Sequence, residues 1–189
     1  DFVFLVGIIN KINPQSILEM GSGVTTCAIT QYLATVNFKG DFYSVDDNQK
    51  WGDSAKSIID KVVNENHSFY KQYICQTKPY KYKKYNCLTY ENSPSSVFDF
   101  IFMDGPVLNG DQICLDPFLN NSISLNTSIV FDGRIHNTDI LFSELLLKTS
   151  SWECYCLSYP CDFSLIISNE NKNYYDLIDY FSGAIFKYN

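Results

Sequence analysis

Short apolar runs alternate with longer stretches of helical periodicity along almost the whole of this 189-residue sequence. Buried parallel strands produce such apolar runs, and the amphipathic stretches between them supply the crossover helices that parallel strands need. The alternation therefore predicts an α/β fold with a mainly parallel sheet. The predicted strands are residues 16–20, 41–45, 69–75, 98–103, 128–131, 152–157 and 163–168.

The last two predicted strands depart from the alternation. Only a short turn containing Pro160 separates residues 152–157 from residues 163–168. This leaves no room for a crossover helix, so these strands are expected to pair antiparallel. The aromatic-rich tail, residues 174–188, is either a helix that covers the core or an interface. The predicted helices are residues 2–9, 25–35, 48–64, 108–119 and 138–148.

Length and composition indicate one globular domain, residues 1–189. Hydrophobic residues make up 46% and charged residues 19% of the sequence, which is typical of globular proteins. No apolar run approaches the roughly 18 residues that span a bilayer. The formal net charge of −7 opposes binding to nucleic acids and acidic membrane surfaces, but it does not oppose a cationic ligand.

The cysteines indicate the cellular location of the chain, and the first residue indicates its relation to a longer protein. The sequence has seven cysteines and no CxxC pair, a pattern that predicts free thiols and a reducing, cytoplasmic location. Cys154, Cys156 and Cys161 lie close together, but no nearby His completes a common zinc spacing, so free thiols are favoured over a metal site. Because the chain begins at Asp1 and not at Met, we expect it to be part of a longer protein.

The residues that follow the first two strands indicate a ligand site, because ligands of α/β sheets bind beyond the C-terminal ends of the strands. Gly21 and Gly23 form a turn whose backbone can approach a ligand closely, and Asp46 is suited to ribose hydroxyls. The dinucleotide pattern GxGxxG is incomplete, because Thr26 stands at the third glycine position. Glu19 suits an ammonium group better than a pyrophosphate. The pattern therefore predicts a nucleoside-containing cofactor.

A purely structural role also explains each of these residues taken alone. Gly21 and Gly23 are typical of simple strand-to-helix turns, and Asp46 or Asp47 is a favoured cap for the helix that follows. The combination of the glycine turn with Glu19 and Asp46 favours the cofactor site.

Four segments in register resemble the class I S-adenosylmethionine-dependent methyltransferases. They are ILEMGSGVTT at the first strand, YSVDD at the second, FDFIFMDGP at the fourth and SIVFDG at the fifth. With the terminal hairpin, the resemblance covers nearly the whole chain. It implies a Rossmann-like, doubly wound seven-stranded sheet of order 3-2-1-4-5-7-6 with strand 7 antiparallel. It also implies S-adenosylmethionine as the cofactor and methyl transfer as the reaction.

The resemblance further implies which residues bind the cofactor. Glu19 would hold its aminoacyl end directly or through water, Asp46 would bind the ribose, and the glycine turn would lie against it. Gln76, or Thr77 beside it, would approach the adenine. The implied cofactor-binding residues are Glu19, Gly21, Ser22, Gly23, Asp46, Gln76 and Asp104.

Methyl transfer to a hydroxyl needs a base near the methyl group. Asp104 after the fourth strand is the first candidate, and Asp132 and His136 after the fifth strand are further catalytic candidates that should reach the same cleft. Their alternatives are a turn residue before Gly105 for Asp104 and a solvated loop residue for His136. Arg134 either binds an anionic or sugar substrate or pairs with a neighbouring acid.

Some O-methyltransferases of this family hold a divalent cation between an acid after the fourth strand and a pair of ligands after the fifth. Here that pair is Asp132 and Gly133, so Asp104 and Asp132 are the only obvious oxygen donors. Mg²⁺ and Ca²⁺ take about six or more oxygen ligands, so a bound metal is not favoured, although water could complete the shell. The MDGPV segment also lacks the Asn/Asp-Pro-Pro-Tyr run of nitrogen-methylating members. This favours the hydroxyl of a small molecule or saccharide as the acceptor.

Other functions have weaker support. Residues 78–85, KPYKYKKY, interleave basic and aromatic side chains in a way that could bind nucleic acid, but the net charge favours an edge segment with solvated lysines. The main alternative is a non-catalytic Rossmann-like domain that binds a nucleoside ligand or docks within a larger protein. An NAD-dependent oxidoreductase is disfavoured by Thr26 and by the lack of a Tyr-xxx-Lys pair in the expected region.

Overall fold

The computed structural model describes residues 2–63, 67–157, 162–180 and 185–188, which form an α/β fold around one large sheet. The helices are α1 (Phe2–Ile12), α2 (Val24–Thr35), α3 (Gln49–Val62), α4 (Asp116–Leu119), α5 (Ile135–Leu146) and α6 (Tyr174–Tyr180). The strands are β1 (Ser16–Met20), β2 (Asp41–Asp46), β3 (Tyr70–Ile74), β4 (Thr77–Tyr82), β5 (Tyr85–Tyr90), β6 (Phe100–Met103), β7 (Ser128–Asp132), β8 (Trp152–Leu157), β9 (Phe163–Ser168) and β10 (Ile185–Tyr188).

The predicted strand order is confirmed, and the sheet has one further strand. Its order is β10-β8-β9-β7-β6-β1-β2-β3, with β9 antiparallel to both of its neighbours. The additional strand β10 pairs antiparallel with β8 and makes the sheet eight-stranded. The described part of the aromatic tail therefore forms α6, which covers the core with the buried Leu177, and an edge strand.

Successive residues of the central strands face two different cores. Ile17, Phe100 and Phe102 pack with residues of α1, α2 and α6, whereas Leu18 and Ile101 pack with residues of α5 and of the β4–β5 hairpin. Both faces of the sheet are thus covered, as is typical of parallel sheets. The C-terminal ends of β1, β2, β6 and β7 meet at one edge, where the loops carry the predicted site residues.

A β-hairpin, and not a helix, forms most of the connection from β3 to β6. Strands β4 and β5 pair antiparallel, and Cys87 and Tyr90 of β5 pack against the main sheet. The predicted edge segment, residues 78–85, comprises most of β4, the turn after it and the first residue of β5. Lys83 lies 2.7 Å from the buried carboxylate of Glu144 in α5, so this lysine stabilises the docking of the hairpin.

The helix predicted at residues 108–119 is wrong, because only Asp116–Leu119 is helical. Pro117 has no N–H and is tolerated only in the first turn of a helix, so it marks where the helix begins. Upstream, the Ile113 N–H donates to the Asn86 carbonyl of β5 (3.0 Å). The backbone that was expected to be helical is therefore used to bridge the hairpin.

The other predicted helices differ from the structure mainly at their ends. Asn48 precedes α3 as its cap, because its side chain accepts a hydrogen bond from the Lys50 N–H (3.0 Å). Asn64, the predicted end of that helix, and Cys161 of the predicted thiol group lie outside the described residues. Within the described ranges, no helix is both long enough and apolar enough to cross a membrane.

Helix α1 offers a test of the core that it covers. Ile8 is fully buried, whereas Val3 on the same helix is 82% exposed. Replacing Ile8 with Ala removes buried methyl groups and leaves a cavity, so Ile8→Ala is expected to lower the free energy of unfolding by about 2–5 kcal/mol. Val3→Ala is expected to change it by no more than about 0.5 kcal/mol. Urea unfolding followed by circular dichroism measures both, and equal effects would contradict this packing of α1.

Candidate active site

The turn after β1 and the turn after β6 touch each other through their backbones. Gly21 has a φ of +101°, and a Cβ added to it would lie 2.6 Å from the Gly105 nitrogen. A Cβ added to Gly105 would lie 2.6 Å from the Gly21 Cα. The Asp104 N–H also donates to the Met20 carbonyl (2.8 Å). Two glycines therefore let the turn of β1 approach the loop that carries Asp104.

Glu19 lies beneath the glycine turn and is fully buried. Its Oε2 accepts hydrogen bonds from the hydroxyls of Thr26 (2.6 Å) and Ser44 (2.7 Å). Burial raises the pKa of Glu19 to about 7, although these hydrogen bonds oppose the shift. Its Oε1 has no hydrogen-bond partner among the described residues. Glu19 thus links β1, β2 and the first turn of α2.

Asp46 joins the turn after β1 to the turn after β2. Its Oδ2 accepts a hydrogen bond from the Ser22 N–H (2.6 Å), and its Oδ1 accepts one from the Asn48 N–H (2.6 Å). Burial raises the pKa of Asp46, although both hydrogen bonds stabilise its ionised form. Asp46 therefore holds both turns in place while it lines a cavity.

That cavity, which we call the glycine-turn cavity, has a volume of about 150 Å³. Its walls come from the turns after β1, β2 and β6, from α3 and from β5. Its lining residues are Gly21, Ser22, Asp46, Asp47, Asn48, Trp51, Tyr90, Asp104, Gly105, Pro106 and Val107.

Two aromatic residues of this cavity were not among the predicted site residues. Tyr90 is only 4% exposed, and its hydroxyl oxygen has no hydrogen-bond partner within the described part of the chain. A Cβ on Gly105 would lie 2.6 Å from that oxygen. Trp51 is 57% exposed and faces the same cavity from α3. The helical spacing placed Trp51 on a helix, but no sequence signal marked Tyr90, because the hairpin that carries it was not predicted.

Some predicted cofactor residues do not line the glycine-turn cavity. Gly23 instead donates its N–H to the Thr26 hydroxyl (2.8 Å) at the start of α2. Gln76 is exposed, whereas its neighbour Thr77 donates its hydroxyl to Asp47 (3.3 Å), which does line the cavity. The predicted residues that line it are Gly21, Ser22, Asp46 and Asp104, and those that do not are Glu19, Gly23 and Gln76.

A second cavity of about 490 Å³ lies beside the first, and we call it the α5 cavity. It brings together the three predicted catalytic candidates and Arg134. Asp104 and Val107 line both cavities, so Asp104 lies where the two meet. The residues that line it are Asp104, Val107, Leu108, Gly110, Gln112, Asp132, Gly133, Arg134, Ile135, His136 and Asn137.

The Asp104 side chain is 45% exposed, and its pKa is raised to about 6. Partial burial is the largest cause, the negative charges of Asp132 and Asp46 add to it, and the positive charge of Arg134 opposes it. The Arg134 Nη2 lies 3.9 Å from the Asp104 carboxylate. A carboxyl group with this pKa is mostly ionised at neutral pH and can still accept a proton.

The Arg134 side chain mainly contacts the loop after β6, although it also lines the α5 cavity. Its side chain is 16% exposed, and its Nη1 donates to the Pro106 carbonyl (2.9 Å) while Nη2 donates to the Asp104 carbonyl. The guanidinium therefore positions the loop that carries Asp104. His136 is exposed in the first turn of α5.

The α5 cavity offers two carboxylates to a divalent cation. Gly133 offers no side-chain oxygen beside Asp132, which leaves the carboxylates of Asp104 and Asp132. Within the described ranges, no group of three or more His, Cys, Asp or Glu side chains is arranged to hold a metal ion. Mg²⁺ is usually bound through one or two carboxylates with several waters, whereas Ca²⁺ takes about six to eight oxygen ligands, so a metal ion at these two carboxylates would need water to complete its shell.

No protein-family model matches the sequence, and no curated protein matches it at a significant level. Solved structures do match. The O-methyltransferase TomG from Streptomyces achromogenes, involved in tomaymycin synthesis and solved in complex with SAM, has 14% identity and a TM-score of 0.55 over 88% of this chain and 78% of its own. An O-methyltransferase from Bacillus cereus in complex with SAH has 15% identity and a TM-score of 0.54 over 89% of this chain and 80% of its own.

A third match is the SAH-bound methyltransferase PaMTH1 from Podospora anserina, with 14% identity and a TM-score of 0.53 over 89% of this chain and 78% of its own. At these identities the likeness concerns the fold. The chain has the fold of these methyltransferases, as the resemblance of its motifs predicted.

The contact between the two glycine turns can be tested by adding one methyl group. Gly21→Ala places a Cβ within 3 Å of the backbone of Asp104 and Gly105 at a positive φ, so we expect it to lower the free energy of unfolding by about 1–3 kcal/mol. Gly23→Ala is the matched control, because a Cβ there meets nothing within 4 Å and φ is −179°. Its cost is expected to stay below about 1 kcal/mol. Thermal unfolding compares the two, and a Gly21→Ala protein as stable as Gly23→Ala would argue against the contact.

Proposed function

We propose that the chain is an S-adenosylmethionine-dependent methyltransferase that methylates a hydroxyl of a small molecule or saccharide. The observation that carries the proposal is the meeting of two cavities at Asp104. One lies over the glycine turn, and the other contains further polar side chains. The fold shared with known O-methyltransferases supports the same function.

The glycine-turn cavity suits this cofactor better than a dinucleotide. The turn brings backbone close to the cavity, and the Tyr90 hydroxyl offers a buried polar group without a partner among the described residues. Its lining includes Asp46, Asp47 and Asp104, and no Lys, Arg or His is found among the described residues that line it. A pyrophosphate would meet these carboxylates without a compensating cation, whereas a sulfonium and an ammonium group would be attracted to them.

In this proposal, some residues around the glycine turn contact the cofactor and others hold the turn in place. Gly21, Ser22 and Asp46 contact the cofactor, with Asp46 on the ribose through the lone pairs that its two backbone hydrogen bonds leave free. Gly23 caps α2, and Glu19 supports the turn from beneath. Its contact with the aminoacyl end would have to pass through a bound water at Oε1.

Adenine recognition is assigned to the start of β4, just past β3, and to α3. Thr77 reaches the cavity wall through Asp47, and Trp51 offers an exposed ring at the cavity. Of the two candidates just past β3, this arrangement favours Thr77 over the exposed Gln76.

S-adenosylmethionine held by Gly21, Ser22 and Asp46 would supply an electrophilic methyl group for transfer to the acceptor oxygen, and the electron pair of the S–C bond would remain on sulfur. Asp104 accepts the proton of the acceptor hydroxyl at its carboxylate. Asp132 raises the proton affinity of Asp104, and Arg134 fixes the backbone of its loop. His136, at the exposed side of the α5 cavity, is the second candidate base and could pass the proton to solvent.

Cofactor binding is tested by calorimetric titration with S-adenosylmethionine, S-adenosylhomocysteine, NAD and ATP. We expect micromolar binding, about −8 kcal/mol, for the first two ligands only. Asp46→Ala removes the acceptor of the Ser22 and Asn48 N–H groups, so its affinity should fall by roughly tenfold or more.

Asp176→Ala, on α6 and away from both cavities, is the control and should bind as the unmodified protein does. Circular dichroism shows whether each variant is folded. Absence of binding of both S-adenosyl ligands would contradict the proposed function. Binding of both without methylation of any hydroxyl acceptor would favour a non-catalytic nucleoside-binding domain.

The proposed base predicts a pH dependence. Asp104 accepts a proton only when it is ionised, so kcat/KM for an acceptor found by screening should fall as the pH drops through the Asp104 pKa of about 6. Asp104→Asn should lower kcat by about 10²–10⁴-fold and remove this fall. Formation of S-adenosylhomocysteine measures the rate. A variant with undiminished turnover would show that Asp104 is not the base, and His136→Ala would then be the next variant to measure.

A further inference from the structure

We propose that Asp104 makes the glycine-turn cavity select for positive charge, so that the sulfonium cofactor binds more tightly than its neutral thioether product. This inference rests on the proposed function and concerns the regulation of the same site. Its consequence is that the product competes for the cavity less effectively than the cofactor does.

The first observation is the charge around the two cavities. Asp46, Asp47 and Asp104 line the glycine-turn cavity, and Asp132 lies in the α5 cavity. The cation nearest to Asp104 is Arg134, and two of its guanidinium nitrogens donate to loop carbonyls. These hydrogen bonds leave the charge of Arg134 in place, but the four carboxylates around the two cavities outnumber it, so the field inside the cleft is negative.

The second observation is that the Asp104 carboxylate accepts no hydrogen bond from the described residues, unlike those of Asp46 and Asp47. Asp46 accepts two backbone hydrogen bonds at 2.6 Å, and Asp47 accepts the Thr77 hydroxyl. The described residues donate no hydrogen bond to the Asp104 carboxylate, and the Arg134 Nη2 stays 3.9 Å away. Because Asp104 lies where the two cavities meet, its charge acts at the place where a transferable methyl group must face the acceptor.

The third observation is independent of these acids and also indicates a ligand. Tyr90 lines the glycine-turn cavity, is 4% exposed, and has a hydroxyl without a partner among the described residues. Burial, with the nearby Cys114 and acidic groups, raises the pKa of Tyr90, so it remains a neutral donor. A buried polar group without a partner is costly, and a ligand atom that accepts its proton would remove that cost. The cavity therefore has a place for a polar ligand, and the described residues that line it include no Lys, Arg or His to attract an anion.

The two forms of the cofactor differ by one methyl group and one unit of charge. An opposite charge within about 4–6 Å of a partly buried carboxylate changes binding by roughly tenfold or more. The lost methyl group accounts for a smaller factor, about fourfold. Sinefungin, which carries a protonated amine in place of the sulfonium, separates the two contributions because it has the charge without the sulfur.

The selectivity depends on pH in a defined direction. The groups that face Asp104 are Asp132 from β7, Asp46 from β2 and Arg134 from the turn before α5, and His136 also lines the α5 cavity. The Asp104 pKa is raised to about 6, so its charge is present above that pH and is lost as the pH falls through it. The preference for the charged ligands should decrease in the same direction.

The experiment is calorimetric titration of the protein with S-adenosylmethionine, S-adenosylhomocysteine and sinefungin at about pH 8 and about pH 5. At the higher pH, the two cationic ligands are expected to bind roughly tenfold or more tighter than the thioether. Asp104→Asn should reduce this ratio to about fourfold or less and leave the affinity for the thioether nearly unchanged. Asp176→Asn, which removes the same charge from α6, should keep the full ratio.

Equal affinities in the unmodified protein, or a ratio that Asp104→Asn does not change, would overturn the inference while leaving the proposed function intact. Absence of binding of all three ligands would overturn both. If Asp104→Asn does not fold, the pH dependence of the unmodified protein decides, because a ratio that stays constant between about pH 8 and about pH 5 contradicts a role for Asp104.

Discussion

The candidate site depends on a contact between two stretches of backbone without side chains between them. Gly21 and Gly105 approach so closely that a Cβ on either would overlap the other. This contact sets how far the loop after β6 lies from the turn after β1, and with it the position of Asp104. Because β1 and β6 are adjacent parallel strands, their turns leave the sheet side by side. The two glycines let these turns touch and form one continuous wall of the glycine-turn cavity.

Polar side chains beneath this wall support it, at the cost of burying charge. Glu19 accepts the hydroxyls of Thr26 and Ser44, while Asp46 accepts the N–H groups of Ser22 and Asn48. Removing a buried partner of this kind costs more than its net contribution suggests, because the remaining group stays desolvated. Glu19 and Asp46, which the resemblance of the motifs assigns to ligand binding, therefore also hold in place the loops that a ligand would contact.

The sequence predicted those parts of the fold that depend on local periodicity. The strands and helices follow from apolar runs of about five residues separated by helical stretches, and the buried pattern of β1, β6 and β7 agrees with this. The strand order was implied by the resemblance of the four motifs to the methyltransferases. The hairpin β4–β5 was missed because alternating Lys and Tyr are typical of any exposed edge. Its docking also depends on the contact of Lys83 with Glu144, which lies 61 residues further along the sequence. Tyr90 was missed for the same reason, since only the docked hairpin brings it to Gly105.

The charge on Asp104 connects its two proposed roles. As a base it must be ionised before the reaction, and as a source of charge selectivity it must be ionised when the cofactor binds, so both roles need the same protonation state. Accepting the acceptor's proton neutralises Asp104 at the time when the positive charge beside it disappears. The cleft then contains neither charge of the original pair. Once Asp104 returns its proton to solvent, its restored negative charge favours a new cationic ligand over the neutral product.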